Sequence, residues 1–238
     1  MSRWIQALPC ISFSVKERKI ARKYGFLTYP EFLDNFYIAQ EGRPNIPKFL
    51  KHLVRNKNLV IIAVYPDNSQ FLGKFHKNYD FCEWLYPLHR KEELDFVLKH
   101  DFDWVGMPHD PAKRDYSPAW FIKECDKYGL KKWYLGFWAE SKPWILHHFD
   151  GFDTTLPETY SGKYGKKWLG WNTAVKPNPS IKTIELFEHN VRQLRMKIDE
   201  LSFTHRPLTA YLDSGLVDVG EHASLTHNQP GGRLMNSE

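Results

Sequence analysis

The stretch "IPKFLKHLVRNKNLVIIAVYPDN", Ile46 to Asn68, restricts the fold of this chain more than any other. Its first half carries apolar residues at Ile46, Phe49, Leu50 and Leu53, which is the spacing of an amphipathic helix. Its second half is a β-branched run closed by Pro-Asp-Asn, the signature of a strand buried on both faces and its exit loop. A two-faced apolar strand entered directly from a helix belongs to a parallel sheet flanked by helices.

The pattern recurs downstream. "KEELDFVLKH" reads as a helix, "DWVGMP" as a strand and "HDPAKRDYS" as a loop. "PAWFIKECDKYG" is a helix with Pro118 in its first turn and Gly129 at its end. "KWYLGFW", "GFDTTL" and "KKWLGWN" read as strands, with "SKPWILHHF" between the first two as a short helix that Ser141 caps. Pro179 to Leu201 is the longest helix, with Ile184, Phe187, Val191, Leu194, Ile198 and Leu201 on one face. The segment before residue 45 is harder to read: "PEFLDNFYIAQEG" has helical character, and two or three further strands fit there. The expected fold is therefore an α/β TIM-type (β/α)8-like barrel, irregular or incomplete and without a zinc subdomain, with an open doubly wound sheet as the rival. Residues 1–201 are expected to form this single domain, and residues 202–238 a polar tail.

Charge narrows the partners. The formal net charge is +5, and residues 202–238 are net acidic (Arg206 and Arg233 against Asp213, Asp218, Glu221 and Glu238). The body is thus more basic than the whole, which suits a polyanion such as nucleic acid. Aromatic residues make up 16%, enough to fill a core and line a cleft. Cys10, Cys82 and Cys125 are scattered without a Cys-x-x-Cys, which argues against a disulfide framework and a thiolate zinc site and fits a cytoplasmic setting. The longest aliphatic run is "LVIIAV", too short to span a membrane.

In parallel α/β folds the chemistry gathers at the C-terminal ends of the strands. Three acids are expected there: Asp67 after "VIIAVYP", Asp110 after "DWVGMPH", and Asp153 within "GFDTTL". Any one of them can simply cap the next helix. Together they suggest a site in which one carboxylate attacks an anomeric carbon, a second moves a proton and a third accepts N–H donors of a base. Lys163, Lys166 and Lys167 follow Asp153 and can hold phosphates, or be a solvated turn.

"WYLGFW" followed by "KPWILHHFDGFDTTLPETYSGKYG" resembles the core of the tRNA-guanine transglycosylases. The resemblance covers roughly Asn58 to Leu201 and is most specific from Tyr134 to Gly165. It implies that Asp153, after Phe152 and before Thr154-Thr155-Leu156-Pro157, is the nucleophile, and that the backbone of Gly136 approaches the bound base. It further implies that Asp67 is the general acid/base, that Phe71 stacks on the base and that Asp110 recognises it. "PDNSQF" lacks the two glycines of the corresponding family stretch, and "LDSG" at Leu212 to Gly215 echoes that stretch later in the chain, so Asp213 is a rival for the second acid. The zinc-binding Cys-x-Cys-x-x-Cys of the RNA-modifying enzymes is absent. The size and the missing ligands resemble the small DNA-guanine transglycosylase (DpdA-type) branch, which places 7-deazaguanines in phage, archaeal-virus or bacterial DNA. The implied reaction exchanges guanine in DNA, or in tRNA, for a 7-deazaguanine, without metal or other cofactor and with or without a partner protein.

Two other readings fit the residues. His109-Asp110 and His147-His148 could serve a metal-dependent or glycoside hydrolase on the same barrel. A non-catalytic barrel could bind nucleic acid through Trp, Tyr and Lys alone.

Overall fold

The computed structural model describes residues 4–9, 13–34, 45–66, 75–138, 143–171 and 173–203. The chain divides into a unit Met1–His205 and a unit Arg206–Glu238, and all described residues belong to the first.

Eight short strands run β1 (Ile5–Leu8), β2 (Leu27–Thr28), β3 (Phe32–Leu33), β4 (Ile62–Val64), β5 (Glu83–Pro87), β6 (Trp104–Pro108), β7 (Lys131–Leu135) and β8 (Gly151–Asp153). They form one sheet in the order β2-β1-β8-β7-β6-β5-β4-β3, with every pairing parallel. The two ends of that order, β2 and β3, are separated in sequence only by residues 29–31. Four peptide steps reach at most about 14 Å, whereas the edges of a flat eight-stranded sheet would lie roughly 30 Å or more apart. The sheet must therefore curl into a nearly closed ring, which makes the molecule a TIM-type α/β barrel and excludes the open doubly wound alternative.

Helices on the outside connect the strands. α1 (Val15–Lys23) opens with a capping box between Ser14 and Glu17. α2 (Ile46–Arg55) buries Phe49 and Leu53. α3 (Glu93–His100) precedes β6, and α4 (Pro118–Tyr128) runs from the Ser117 cap to Gly129 in the left-handed region. Among the described residues, 3-10 turns at Phe75–Asn78 and Pro143–His148 precede β5 and β8. α5 (Thr183–Phe203) buries Leu186, Phe187, Val191, Leu194 and Ile198. Among the described residues no helix is long and apolar enough to cross a membrane.

The barrel interior is filled by Ala7, Phe32, Ile62, Val64, Leu85, Trp104 and Trp133. Trp133 sits at its centre, stacked on Phe32 at 5.1 Å between ring centroids and edge-on to Trp104 at 5.4 Å. At the N-terminal end, Glu83 accepts from the indole of Trp104 and pairs with Lys131 at 3.0 Å. These polar contacts mark the N-terminal end of the ring.

Two expectations are corrected. The strand expected at "KKWLGWN" is β9 (Lys167–Gly170), but it lies outside the barrel and pairs antiparallel with β10 (Thr173–Val175). Within it Trp168 and Gly170 are buried and Leu169 is exposed, so it buries one face only, as antiparallel strands do. Its place in the ring is taken by "EWLYP", β5, whose Glu83 and Pro87 hide the strand signal in sequence. The helical reading of "PEFLDNFYIAQEG" fails at Phe32–Leu33, which are paired to Ile62 and Ala63; residues 35–42 of that segment lie outside the described residues.

Candidate active site

Asp153 ends β8 at the C-terminal end of the barrel and is 5% exposed. Its register partner on β1 is Ala7, so its side chain is directed into the ring. Oδ1 accepts a hydrogen bond from Trp133 Nε1 at 2.8 Å, and Oδ2 accepts from the backbone N–H of Gly136 at 3.2 Å. The backbone N–H of Phe137 donates to the Asp153 carbonyl at 2.8 Å, so the turn after β7 wraps the end of β8. Burial disfavours the carboxylate and pushes its pKa from 3.8 up to about 6, while the two donors pull the other way without cancelling it.

Two glycines make this geometry possible. Gly136 has φ +73°, a left-handed conformation that frees its N–H to point back at Asp153. Gly151 lies beside Trp133 on the neighbouring strand. A Cβ there would come within 2.4 Å of Trp133 Cζ3 and 3.0 Å of the Ile5 carbonyl oxygen. Its bare backbone lets the indole lie against β8 and aim Nε1 at Asp153. Thr154 locks the next step, donating from Oγ1 to the Phe137 carbonyl at 2.6 Å and accepting from Leu156 N at 3.1 Å.

The other expected site residues are placed as follows. Asp110 follows β6 at the same end of the barrel and is exposed; its Oδ1 accepts from Ala112 N at 2.9 Å, the helix-capping role open to any such Asp. Lys163 is exposed at the end of the π-turn Thr159–Lys163, which follows β8, with its Nζ 5.5 Å from the Tyr164 ring centroid. Lys166 is half-buried, and its carbonyl is held by Asn190 Nδ2 at 3.0 Å; Lys167 begins β9. Asp67, Phe71, Ser141 and the rival Asp213 lie outside the described residues, although the described chain reaches Pro66 at the exit of β4.

The histidines weighed for a metal take other roles. His109 Nδ1 lies 3.3 Å from the Tyr134 hydroxyl, and His147 lies in the 3-10 turn before β8, 5.7 Å from Trp4 between ring centroids. Among the described residues no group of three or more His, Cys, Asp or Glu side chains is placed to hold a metal ion.

Two features escaped the sequence reading. Trp133 is a direct donor to the buried acid, from a position twenty residues earlier. A cavity of about 650 Å³ also opens at the C-terminal ends of β4 and β5, walled by Tyr65, Pro66, Tyr86 and Pro87 and by the loops after β5 and β6. Asp153 does not line it. The buried acid and the cavity are thus separate features of one barrel end.

The fold and this site define a TIM-type α/β barrel with a buried carboxylate, Asp153, at the C-terminal end of its strands. No family model matches the chain. Against a solved native KDPGal structure it superposes with a TM-score of 0.50 over 83% of this chain and 95% of that one, at 8% identity, a likeness of fold alone. The uncharacterized protein ORF192 of Acidianus two-tailed virus is 30% identical over 141 residues, covering 56% of this chain and 70% of the viral protein. The chain belongs to the same family as that viral protein.

Proposed function

We propose that this barrel is an enzyme of guanine transglycosylase type, acting on a nucleic acid, with DNA favoured over tRNA. The observation that carries the reading is Asp153: a carboxylate buried at the C-terminal end of a barrel strand and oriented by Trp133 and Gly136. A pKa of about 6 leaves it ionised at neutral pH yet poorly solvated, the condition of an activated nucleophile. In this mechanism a carboxylate oxygen of Asp153 bonds to C1′ of the target nucleotide. The C1′–N9 bond breaks, and its electron pair leaves with guanine, which takes a proton from a second acid, Asp67 by the resemblance. The corresponding nitrogen of an incoming 7-deazaguanine, deprotonated by the same acid, then attacks C1′ and displaces Asp153. A flipped or single-stranded nucleotide is required, because C1′ is shielded in a stacked duplex. Asp110 and Phe71 are proposed to contact the base and Lys163 and Lys166 the backbone. The Gly136 N–H is already engaged by Asp153, so its approach to a base would require that bond to lengthen or be shared.

The test is base exchange. The protein and its Asp153→Asn variant are incubated with labelled guanine or a 7-deazaguanine and, separately, single-stranded DNA, duplex DNA and tRNA. Incorporation into one polymer, lost in the variant, is the expected result. No incorporation into any of them, with nucleic acid bound equally by both proteins, refutes the enzyme and leaves a binding protein.

A further inference from the structure

The cavity over β4 and β5 has a charge arrangement of its own. Among the described residues its wall holds three carboxylates, and each is already engaged. Glu92 pairs with Arg90 at 3.5 Å, Glu93 Oε2 accepts from the backbone N–H of His89 and Arg90, and Asp115 Oδ1 accepts from Lys91 N at 2.9 Å. The cations Lys113 and Arg114 are not so engaged: among the described residues neither lies within ion-pair distance of a carboxylate. Arg114 is half-buried and fixed, with Nε donating to the Pro108 carbonyl at 3.1 Å and Nη1 to the Tyr116 carbonyl. Among the described residues no partner takes the two N–H groups of Nη2. Burial disfavours its charge, and Asp110, whose charge opposes that effect, is exposed and caps a turn.

A held guanidinium in the wall of a cavity, with no ion-pair partner among the described residues, is suited to receive an anion. Part of the wall is aromatic. Tyr65, Tyr86 and Phe96 line it, with Tyr86 5.6 Å from Tyr65 and 5.5 Å from Phe96 between ring centroids. A volume of about 650 Å³ lies in the range of small-molecule sites and holds a nucleotide with room for water.

We propose that this cavity binds one phosphorylated nucleoside unit, its phosphate on Arg114 and Lys113 and its ring against Tyr86 and Phe96. The site stands on the cavity and is independent of base exchange at Asp153.

The experiment is calorimetric titration with guanosine 5′-monophosphate, guanosine, inorganic phosphate and a single-stranded tetranucleotide. It is run on the unaltered full chain, on Asp153→Asn, and on Arg114→Gln, Arg114→Lys, Lys113→Gln and Tyr86→Leu. The monophosphate is expected to bind more tightly than guanosine or phosphate alone. Arg114→Gln is expected to weaken it about tenfold to a hundredfold, Arg114→Lys less, and Asp153→Asn not at all. Because Arg114 also holds two carbonyls, Lys113→Gln and Tyr86→Leu carry the test if Arg114→Gln does not fold, each weakening the monophosphate severalfold. An Arg114- and Lys113-dependent preference for the tetranucleotide over the monophosphate assigns the site to a unit of a strand; the opposite order assigns it to a free nucleotide. No binding of either, or binding indifferent to Lys113 and Tyr86, overturns the proposal. So does equal binding of guanosine or of phosphate alone. Binding needs no turnover, so its failure leaves base exchange standing, and a failure of base exchange leaves this site standing.

Discussion

Replacing Asp153 by Asn makes a sharp thermodynamic test of how the site is built. The folded state holds the carboxyl proton up to about pH 6, whereas an unfolded chain releases it near 3.8. Folding therefore favours the neutral acid. The stability this lends is fully present below pH 3.8, and it is lost as pH rises through 6, where the fold must carry a desolvated charge. A shift of that size is worth about 3 kcal/mol in all, at 1.36 kcal/mol per pKa unit. About 2 kcal/mol of it falls between pH 4.5 and 7, where few other carboxylates titrate. Asn has the shape of Asp and no charge. Its amide group cannot accept both the Trp133 and the Gly136 donors, but that cost does not change with pH. The difference between the two proteins as a function of pH therefore isolates the buried charge, since every other titrating group cancels. Relative to the parent, Asp153→Asn should gain about 2 kcal/mol between pH 4.5 and 7. At about 2–4 °C per kcal/mol for a unit of this size, the gap in Tm should open by roughly 4–8 °C. Parallel thermal melts in steps of half a pH unit measure it. A gap that stays flat over this range, or closes as pH rises, means that the carboxyl is not held above its ordinary pKa, and the argument from burial fails with it.

Further outcomes follow from the same site. If Asp153 is the nucleophile, kcat/KM for base exchange should fall on the acid side with a limb near pH 6, read from initial rates. Trp133→Phe removes a donor that favours the ionised form, so that limb should move upward in pH. Gly151→Ala should cost about 1–3 kcal/mol, because the new Cβ meets the indole and the Ile5 carbonyl; a shift in Trp near-ultraviolet circular dichroism should accompany the lower denaturation midpoint. Asn190, fully buried, accepts from Trp168 N at 2.8 Å and donates to the Lys166 carbonyl at 3.0 Å. Asn190→Ala should cost about 1–3 kcal/mol and speed amide hydrogen exchange at Lys166–Trp168 more than in the barrel strands.

The barrel was legible wherever a strand is buried on both faces and follows a helix. "VIIAV", "DWVGMP", "WYL" and "GFD" all enter the ring as their apolar runs suggested. The N-terminal segment resisted because β2 and β3 are two residues each, too short for periodicity to register. β5 resisted because its ends are Glu83 and Pro87, and the residues that mark it as buried, Trp84 and Leu85, are only two. β9 was misplaced because a run of Trp, Leu and Gly reads the same whether one face or two is covered. The site divides in the same way. A carboxylate at a strand end, Asp153, shows in sequence. Its partners do not, since Trp133, Gly136 and Gly151 meet it through the register of β7 against β8 and the turn that leaves β7. Arg114 in "HDPAKRDYS" reads as one polar loop residue among several until the carbonyls of Pro108 and Tyr116 fix it.

The acids expected at the barrel mouth differ in what the fold spends on them. Asp110 is exposed and caps a short turn, a position that costs the protein nothing and whose loss should remove about 1 kcal/mol. Asp153 is the opposite case. Its charge is unfavourable where it sits, yet the chain commits an indole, a left-handed glycine and a second glycine without room for a Cβ to holding it there. A leucine or an alanine at that position would ease the desolvation but strand the Trp133 and Gly136 donors, so the arrangement is not one that packing alone would select. Local chemistry that opposes stability while its supports are built around it marks the place where function is paid for. On that ground Asp153, rather than Asp110, is the residue through which the chemistry of this barrel should first be sought.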